Sequence, residues 1–272
     1  MGQGIVLTIL GARGSLPVSH PEMLIYGGRT TSFMIDLPGD HTAFVDAGTG
    51  LAAVEGLGED HTQHYDILLT HYHLDHLQGL QFFKPLYREG NTFTFRGHRP
   101  HGISVEAAIS GVSQSPWFPL PLDATLSNKT FLPVEQRFDV GPLSVTSAAL
   151  HHPQGVTGYR FEGSESVVVI ATDHEAGDAD ADQRLVELAY GADFLIHDAQ
   201  YTPHEYEELY TGWGHSTWEH AVAAAVAAEV GTLILTSHDP SHTDEDVEKI
   251  LASARAEFPE THAAFEGMQI GL

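Results

Sequence analysis

Directly after the apolar run Ile67-Leu68-Leu69 the chain reads THYHLDHLQG, Thr70 to Gly79, with three histidines and an aspartate inside six residues. In an extended segment leaving a strand, alternate side chains point to one side, so His71, His73 and Asp75 converge and His76 reaches a neighbouring point. Imidazole nitrogens beside a carboxylate suit Zn²⁺, or related ions such as Mn²⁺ and Fe²⁺, and four such groups on one loop would repel or stay unpaired without a cation. The arrangement suits two metals. One loop cannot complete two coordination spheres, and this constrains the rest of the chain. Further ligands have to arrive from the ends of other strands, as an α/β sandwich delivers them.

Three later segments meet that demand. His151-His152-Pro153 follows LSVTSAAL, Asp173 follows VVVIAT, and His238 follows TLILTS. Each is the first strongly coordinating residue beyond a β-branched apolar run. HxHxDH followed by a His, an Asp and a last His, in this order and spacing, resembles the metallo-β-lactamase superfamily of metallohydrolases, over nearly the whole chain. GARGSLP (Gly11 to Pro17), YGGRTTS (Tyr26 to Ser32), VDAGTG (Val45 to Gly50), LQGLQFFKPLY (Leu77 to Tyr87) and HHPQGVTGYRFE (His151 to Glu162) are similar to its phosphodiesterase-like branch. HDAQY (His197 to Tyr201) and GHST (Gly214 to Thr217) resemble the tRNase Z and cyclic-phosphodiesterase side of that branch. Two positions depart from it: Arg29 stands where the branch usually has Asn, and Phe33 where it often has Cys.

The resemblance implies an αββα metallo-β-lactamase sandwich holding two divalent ions, with zinc expected ahead of manganese or iron. It assigns His71, His73 and His152 to one ion, Asp75, His76 and His238 to the other, and Asp173 to the bridge between them. His151 competes for the third position, and His152 is preferred because the His-Pro pair matches the motif. Asp46, in the VDAGTG turn, is expected to orient a ligand histidine by hydrogen bond. Hydrolysis of a phosphodiester then needs no protein nucleophile. Asp75 is expected to orient the attacking hydroxide, and His215 of GHST to protonate the departing alkoxide or hold a phosphate oxygen. Alternatively, His215 is a satisfied histidine at the start of a helix capped by Ser216.

The remaining histidines need a plainer account, because the chain has 19 of them. His20, His41, His61, His64, His98, His101 and His262 sit among Gly, Pro, Asp, Glu or Thr without a repeated spacing and read as solvated loop or turn positions.

Charge narrows the substrate. With 37 acidic and 12 basic residues the formal net charge is −25. Such a surface offers no track for a phosphate backbone, whose binding is driven by Lys and Arg releasing counterions. A small phosphodiester, a cyclic nucleotide or related cyclic phosphate first, is therefore expected ahead of tRNA 3′ ends. Arg13 and Arg29 are the basic residues that the motifs place to touch its phosphate. Trp117 and Phe118, between prolines, are candidates to flank a base, with Phe82 and Phe83 equally suited to core packing. The rival readings are a tRNase Z-like endoribonuclease, a lactone, thioester or β-lactam hydrolase of the same fold, and a non-catalytic module.

At 272 residues and 42% hydrophobic, the chain has enough apolar mass for one sizeable domain spanning 1–272. Cysteine is absent, which excludes disulfides and thiolate metal sites. MGQGIVLTILGARG reads as a first strand, not a signal peptide, and no run has the length of a membrane span. The expected compartment is the cytoplasm, and a homodimer stays open. Strands are expected at 4–10, 32–37, 42–46, 66–70, 143–149, 156–161, 166–171, 193–197 and 232–236, with PGD (Pro38 to Asp40) turning a hairpin. Helices are expected at 77–87, 180–190, 216–230 and 243–257, the last two opened by the cap pairs Ser216/Glu219 and Thr243/Asp246. The proline-rich stretch 88–135 reads as an irregular excursion serving as a lid or binding feature.

Overall fold

Strands form where the apolar residues alternate, because each strand has two faces to cover: one toward a second sheet, one toward helices. The computed structural model describes residues 4–54, 56–57 and 61–272, which include the whole of the expected first strand at 4–10. In chain order the strands are β1 (Val6–Gly11), β2 (Ser32–Leu37), β3 (His41–Val45), β4 (His64–Leu68), β5 (Thr92–Gly97), β6 (Asn128–Pro133), β7 (Arg137–Val140), β8 (Leu143–Leu150), β9 (Val156–Glu162), β10 (Val167–Ala171), β11 (Phe194–Asp198), β12 (Thr232–Thr236), β13 (Thr261–Ala263) and β14 (Gln269–Gly271). They make two seven-stranded sheets among the described residues, ordered β14-β1-β2-β3-β4-β5-β6 and β13-β12-β11-β10-β9-β8-β7.

Within each sheet one run is parallel, β3 to β6 in the first and β10 to β13 in the second. Parallel neighbours deliver their C-terminal ends to the same sheet edge, which is where such folds collect their site residues. The sheets face one another across a core in which Leu7, Ile9, Phe33, Ile35, Val45 and Leu68 meet Val145, Phe161, Val168, Ile170, Ile196 and Ile234. Each large side chain buried there contributes about 1.5–3 kcal/mol, so the alternation pins the register: a one-residue slip of β4 would exchange Leu68 for Ile67. Helices α1 (Val105–Val112), α2 (Ala179–Ala189), the single turn α3 (Pro203–Glu205), α4 (Trp218–Ala227) and α5 (Asp244–Glu257) complete the chain. The outer face of the second sheet packs on α2, α4 and α5 through residues such as Leu185, Ala221 and Ile250, and that of the first packs on α1 and short turns through Phe44, Tyr65, Phe93 and Phe95. The result is the expected αββα sandwich, and no helix among the described residues is long and apolar enough to cross a membrane.

Several expectations change on contact with the structure. The segment 77–87 is not one helix but the 3₁₀ turns Leu80–Phe82 and Lys84–Tyr87. Pro85 has no N–H to donate to Gln81, whose carbonyl instead accepts from the Tyr87 hydroxyl at 2.6 Å. The stretch 88–135 is no loop, since it contains β5, α1 and β6 and extends the first sheet by two parallel strands. Thr217, not Ser216, caps α4, and its partner three residues on is His220, not Glu219. Ser216 is committed elsewhere, donating to the His174 carbonyl at 2.6 Å. The Thr243/Asp246 capping box and the β2–β3 hairpin stand as expected. His41 and His64, read as turn residues, are paired strand residues of β3 and β4.

Candidate metal centre

The loop that follows β4 owes its shape to Asp46. This aspartate sits at the end of β3 with a left-handed φ of 61°, a conformation that a short polar side chain tolerates, and is fully buried. Its carboxylate accepts from the Thr70 backbone N–H at 2.8 Å and from the Thr70 hydroxyl at 2.8 Å, tying the start of the histidine loop to β3. It also faces His76 Nδ1 at 2.8 Å. With Nδ1–H held by Asp46, His76 turns its Nε2 inward. The same logic holds for His71: the Thr70 hydroxyl donates to Asp46 and so accepts from His71 Nδ1, 3.1 Å away.

Around these two nitrogens the other strand ends converge. Asp173, at the end of β10 with φ of 55°, brings Oδ2 to 3.2 Å from His76 Nε2, 3.6 Å from His71 Nε2 and 3.9 Å from His152 Nε2. His152 donates Nδ1–H to the Gly214 carbonyl at 2.6 Å, which turns Nε2 to within 3.0 Å of His73 Nδ1. Asp75 Oδ2 lies 3.2 Å from His76 Nε2 and accepts from the Ser15 backbone N–H at 3.0 Å. His151 is exposed and turned to the Glu175 carbonyl, so His152 is the inward member of the pair. Three overlapping sets, His71/His73/His152, His71/His76/Asp173 and His152/Asp173/His215, hold their ligand atoms within 4.8 Å of one another.

His71 Nε2 and His76 Nε2 are buried without a hydrogen-bond partner, among carboxylates spaced as metal ligands are. Ligand atoms about 2.0–2.1 Å from a tetrahedral ion stand roughly 3.3 Å apart, close to the separations above, so the donor set fits divalent ions of the zinc type. Charge agrees. Burial alone would depress the pKa of His76, and Asp173, Asp75 and Asp46 outweigh it and raise it well above the usual range; the same carboxylates that favour a proton on Nε2 favour a divalent cation in its place. His71, with mostly imidazoles around it, is pushed down by burial and stays neutral, as a ligand must.

His215 stands beside this cluster, its Nδ1 2.7 Å from Asp198 Oδ2. Asp198 is buried at the end of β11 and also accepts from the Ser216 N–H at 2.9 Å and the Asp173 N–H at 3.2 Å. Burial would lower the pKa of His215; the carboxylates of Asp198 and Asp173 outweigh it and lift it to about 9. Sequence reasoning quoted HDAQY without giving Asp198 a role. The signal was present, because Asp198 is the first carboxylate after the apolar run FLI, as Asp173 is after VVVIA.

Other expected residues are placed differently. His238 joins none of the three sets: its Nε2 lies 2.9 Å from the Ala264 carbonyl and its ring packs edge-on against Tyr26. Burial holds its pKa down at about 4. Arg13 does not present its guanidinium to a ligand, being wholly buried and donating to the carbonyls of Gly27 at 2.9 Å, Asp239 at 3.0 Å and His242 at 2.8 Å. Arg29 pairs with Glu266 at 2.8 Å. Trp117 is 78% exposed, and Phe118 packs edge-on against the surface residue Phe82; neither lines the cleft beside the histidines. That cleft, about 340 Å³, is walled by Tyr72, His98, Ile103, Ala107 and Pro153 next to His71 and His73. His98, read as a solvated loop residue, stacks on Tyr72 at 5.2 Å with the rings 9° from parallel.

Residues 41–238, more than half of the chain, match the family model described as a beta-lactamase superfamily domain. The chain belongs to that family. Metallo-β-lactamase folds imply divalent metal ions, in keeping with the cluster. The Ribonuclease Z of Brevibacillus brevis is 43% identical over 93 residues, 33% of this chain and 29% of that enzyme, so the chain matches under a third of its length. An uncharacterized protein of Mycobacterium leprae, ML1173, is 26% identical over 286 residues, covering 98% of this chain and 90% of that protein. Among solved structures, a diphosphatase from the PhnP family shares the fold with a TM-score of 0.72 at 19% identity, over 98% of each chain.

Proposed function

We propose that this member of the beta-lactamase superfamily is a hydrolase using two divalent ions, zinc first, to cleave a small phosphodiester such as a cyclic nucleotide. The observation that carries the reading is the Asp198–His215 pair, set 2.7 Å apart beside the His152 and Asp173 ligand atoms. When bound, divalent ions lower the pKa of water and neutralise charge on phosphoryl oxygens. His71, His73, His152, Asp75, His76 and Asp173 would hold them. Asp75 orients the attacking water from the side tied to Ser15. His215, protonated at neutral pH because Asp198 raises its pKa to about 9, gives its Nε2 proton to the departing alkoxide. Asp198 keeps the other nitrogen protonated and the ring aimed.

The cleft supplies the specificity argument. Its 340 Å³ accommodates a mononucleotide, with Tyr72 and His98 offering a flat aromatic wall for a base. The excursion 88–135 contributes that wall through His98, Ile103 and Ala107, which supports its reading as a binding feature. A single phosphodiester carries one negative charge, whereas a tRNA brings dozens of phosphates to a protein formally at −25. A second reading, a tRNase Z-like endoribonuclease, is favoured by the partial match to Ribonuclease Z.

The test compares kcat/KM for cyclic mononucleotides and for a precursor tRNA, at low and physiological salt, with one enzyme preparation. Cyclic nucleotide turnover exceeding tRNA cleavage at both salts is expected. Efficient tRNA cleavage with inert cyclic nucleotides would replace the first reading with the second, and turnover confined to a lactone or cephalosporin control would displace both.

A further inference from the structure

The parallel pairing of β3 with β4 places His41 directly across from His64, and Asp66 follows His64 by two residues on the same face. That face is the one turned toward the second sheet, since Ala43 and Val45 continue it on β3 and Leu68 on β4. The three residues therefore cluster at the N-terminal ends of these strands. The catalytic cluster sits at their C-terminal ends, roughly 15 Å away for a five-residue strand.

The two imidazoles converge on one oxygen. His41 Nε2 lies 2.8 Å and His64 Nε2 3.3 Å from Asp66 Oδ2, with the two rings 4.8 Å apart. All three ligand atoms fall within 4.8 Å of one another. These separations match those in the catalytic cluster, where His76 Nε2 stands 3.2 Å from both Asp75 and Asp173. A hydrogen-bonding partner also sits behind the ligands: His64 Nδ1 is 2.8 Å from the Thr92 hydroxyl on β5, which fixes the ring with Nε2 forward. Asp66 is buried, while the His64 side chain is 37% exposed and gives access from solvent. At the rim, His61 Nε2 pairs with Asp40 Oδ1 at 3.1 Å, adding one more imidazole and carboxylate to the approach.

We propose that His41, His64 and Asp66 form a second, non-catalytic site for a divalent transition ion, Zn²⁺ or a chemical equivalent, binding β3 to β4 at the end of the sheet opposite the active centre. Two imidazoles, one carboxylate and water complete a tetrahedral sphere. A cation there replaces a contact between imidazole N–H groups and a buried carboxylate with direct bonds, cross-linking two strands whose other ends carry Asp46 and the histidine loop. The site is independent of the reading of the catalytic centre, because it shares no ligand with it.

The experiment is equilibrium dialysis of the full chain against micromolar free Zn²⁺, followed by elemental analysis, for the wild type and for His64→Gln and His41→Gln. Each variant is expected to bind one ion fewer per chain, with turnover of a phosphodiester substrate unchanged and a melting temperature in chelator within a few degrees of wild type. The Zn²⁺-induced rise in melting temperature should shrink in both variants. Equal ion counts in the wild type and both variants would overturn the proposal and leave a hydrogen-bonded triad. So would a variant that folds in chelator but loses activity together with all bound zinc, since the ions would then belong to one coupled centre.

Discussion

In the proposed reaction Asp198 acts through His215. It holds His215 by one nitrogen at 2.7 Å and, against burial and together with Asp173, lifts its pKa to about 9, so the acid form prevails at neutral pH. Replacing His215 by Ala should lower phosphodiester turnover by roughly 10²- to 10⁴-fold with the fold intact, and a loss under about threefold would remove it from the chemistry. Asp198→Asn should cost roughly 10- to 100-fold in kcat, the scale typical of residues that orient a reacting group. With its carboxylate gone, the His215 pKa falls, so the alkaline limb of the pH–rate profile should move to lower pH; an unmoved limb would reduce Asp198 to a structural contact. Arg13 makes the opposite case. Its guanidinium is enclosed by three carbonyls, so Arg13→Met should destabilise the protein by on the order of 3 kcal/mol in urea unfolding and leave KM alone. Unchanged stability with a raised KM would restore the phosphate contact that the motif suggested. The histidine loop was legible because its spacing is local. The direction of the His238 ring was not, because it depends on the left-handed φ of 60° at Ser237 and on Tyr26 and Ala264, distant in sequence.

At the scale of elements, the site depends on how closely two loops can approach. Gly79 donates its N–H to the Ala47 carbonyl at 2.8 Å, and a Cβ on Gly79 would stand 1.8 Å from the Gly48 oxygen. No methyl group fits there, so Gly79→Ala must push the histidine loop off the VDAGTG turn that carries Asp46. A loss of about 1–3 kcal/mol in stability is expected, together with fewer metal ions retained on dialysis. Normal ion content in this variant would mean that the two loops part without disturbing the ligands. Alternation made most strands visible, and β5 carried the same TFTF signal, obscured by the prolines around it. The helix expected over 77–87 failed for a local reason, Pro85, that the sequence displayed but apolar spacing masked.

For the molecule as a whole, the buried histidines set the response to acid. Burial is the main cause holding His174 at about 3 and His238 at about 4, below the value near 6.5 of an unfolded chain. Unfolding then takes up protons, so their contribution to stability is present above about pH 6.5 and is lost as pH falls from there toward those lower values. His215 and His76, raised by carboxylates, reach their full contribution at about pH 6.5 and oppose this loss only above it, so melting temperature should drop by about 5 °C or more between pH 6.5 and 5, before most carboxylates titrate; a flat profile over that range would contradict the burial of these rings. The layered architecture was readable from the alternation of strands with helices, whereas the closing strands β13 and β14 were not, being three residues long and meaningful only through distant partners. Those partners have a temporal consequence. β14 covers the flank of β1, so a nascent chain presents β1 with one side unpaired until residues 269–271 have left the ribosome. β1 is thus completed by a strand that lies far along the chain, and through the interval between their syntheses its bare edge stays open to wrong pairing.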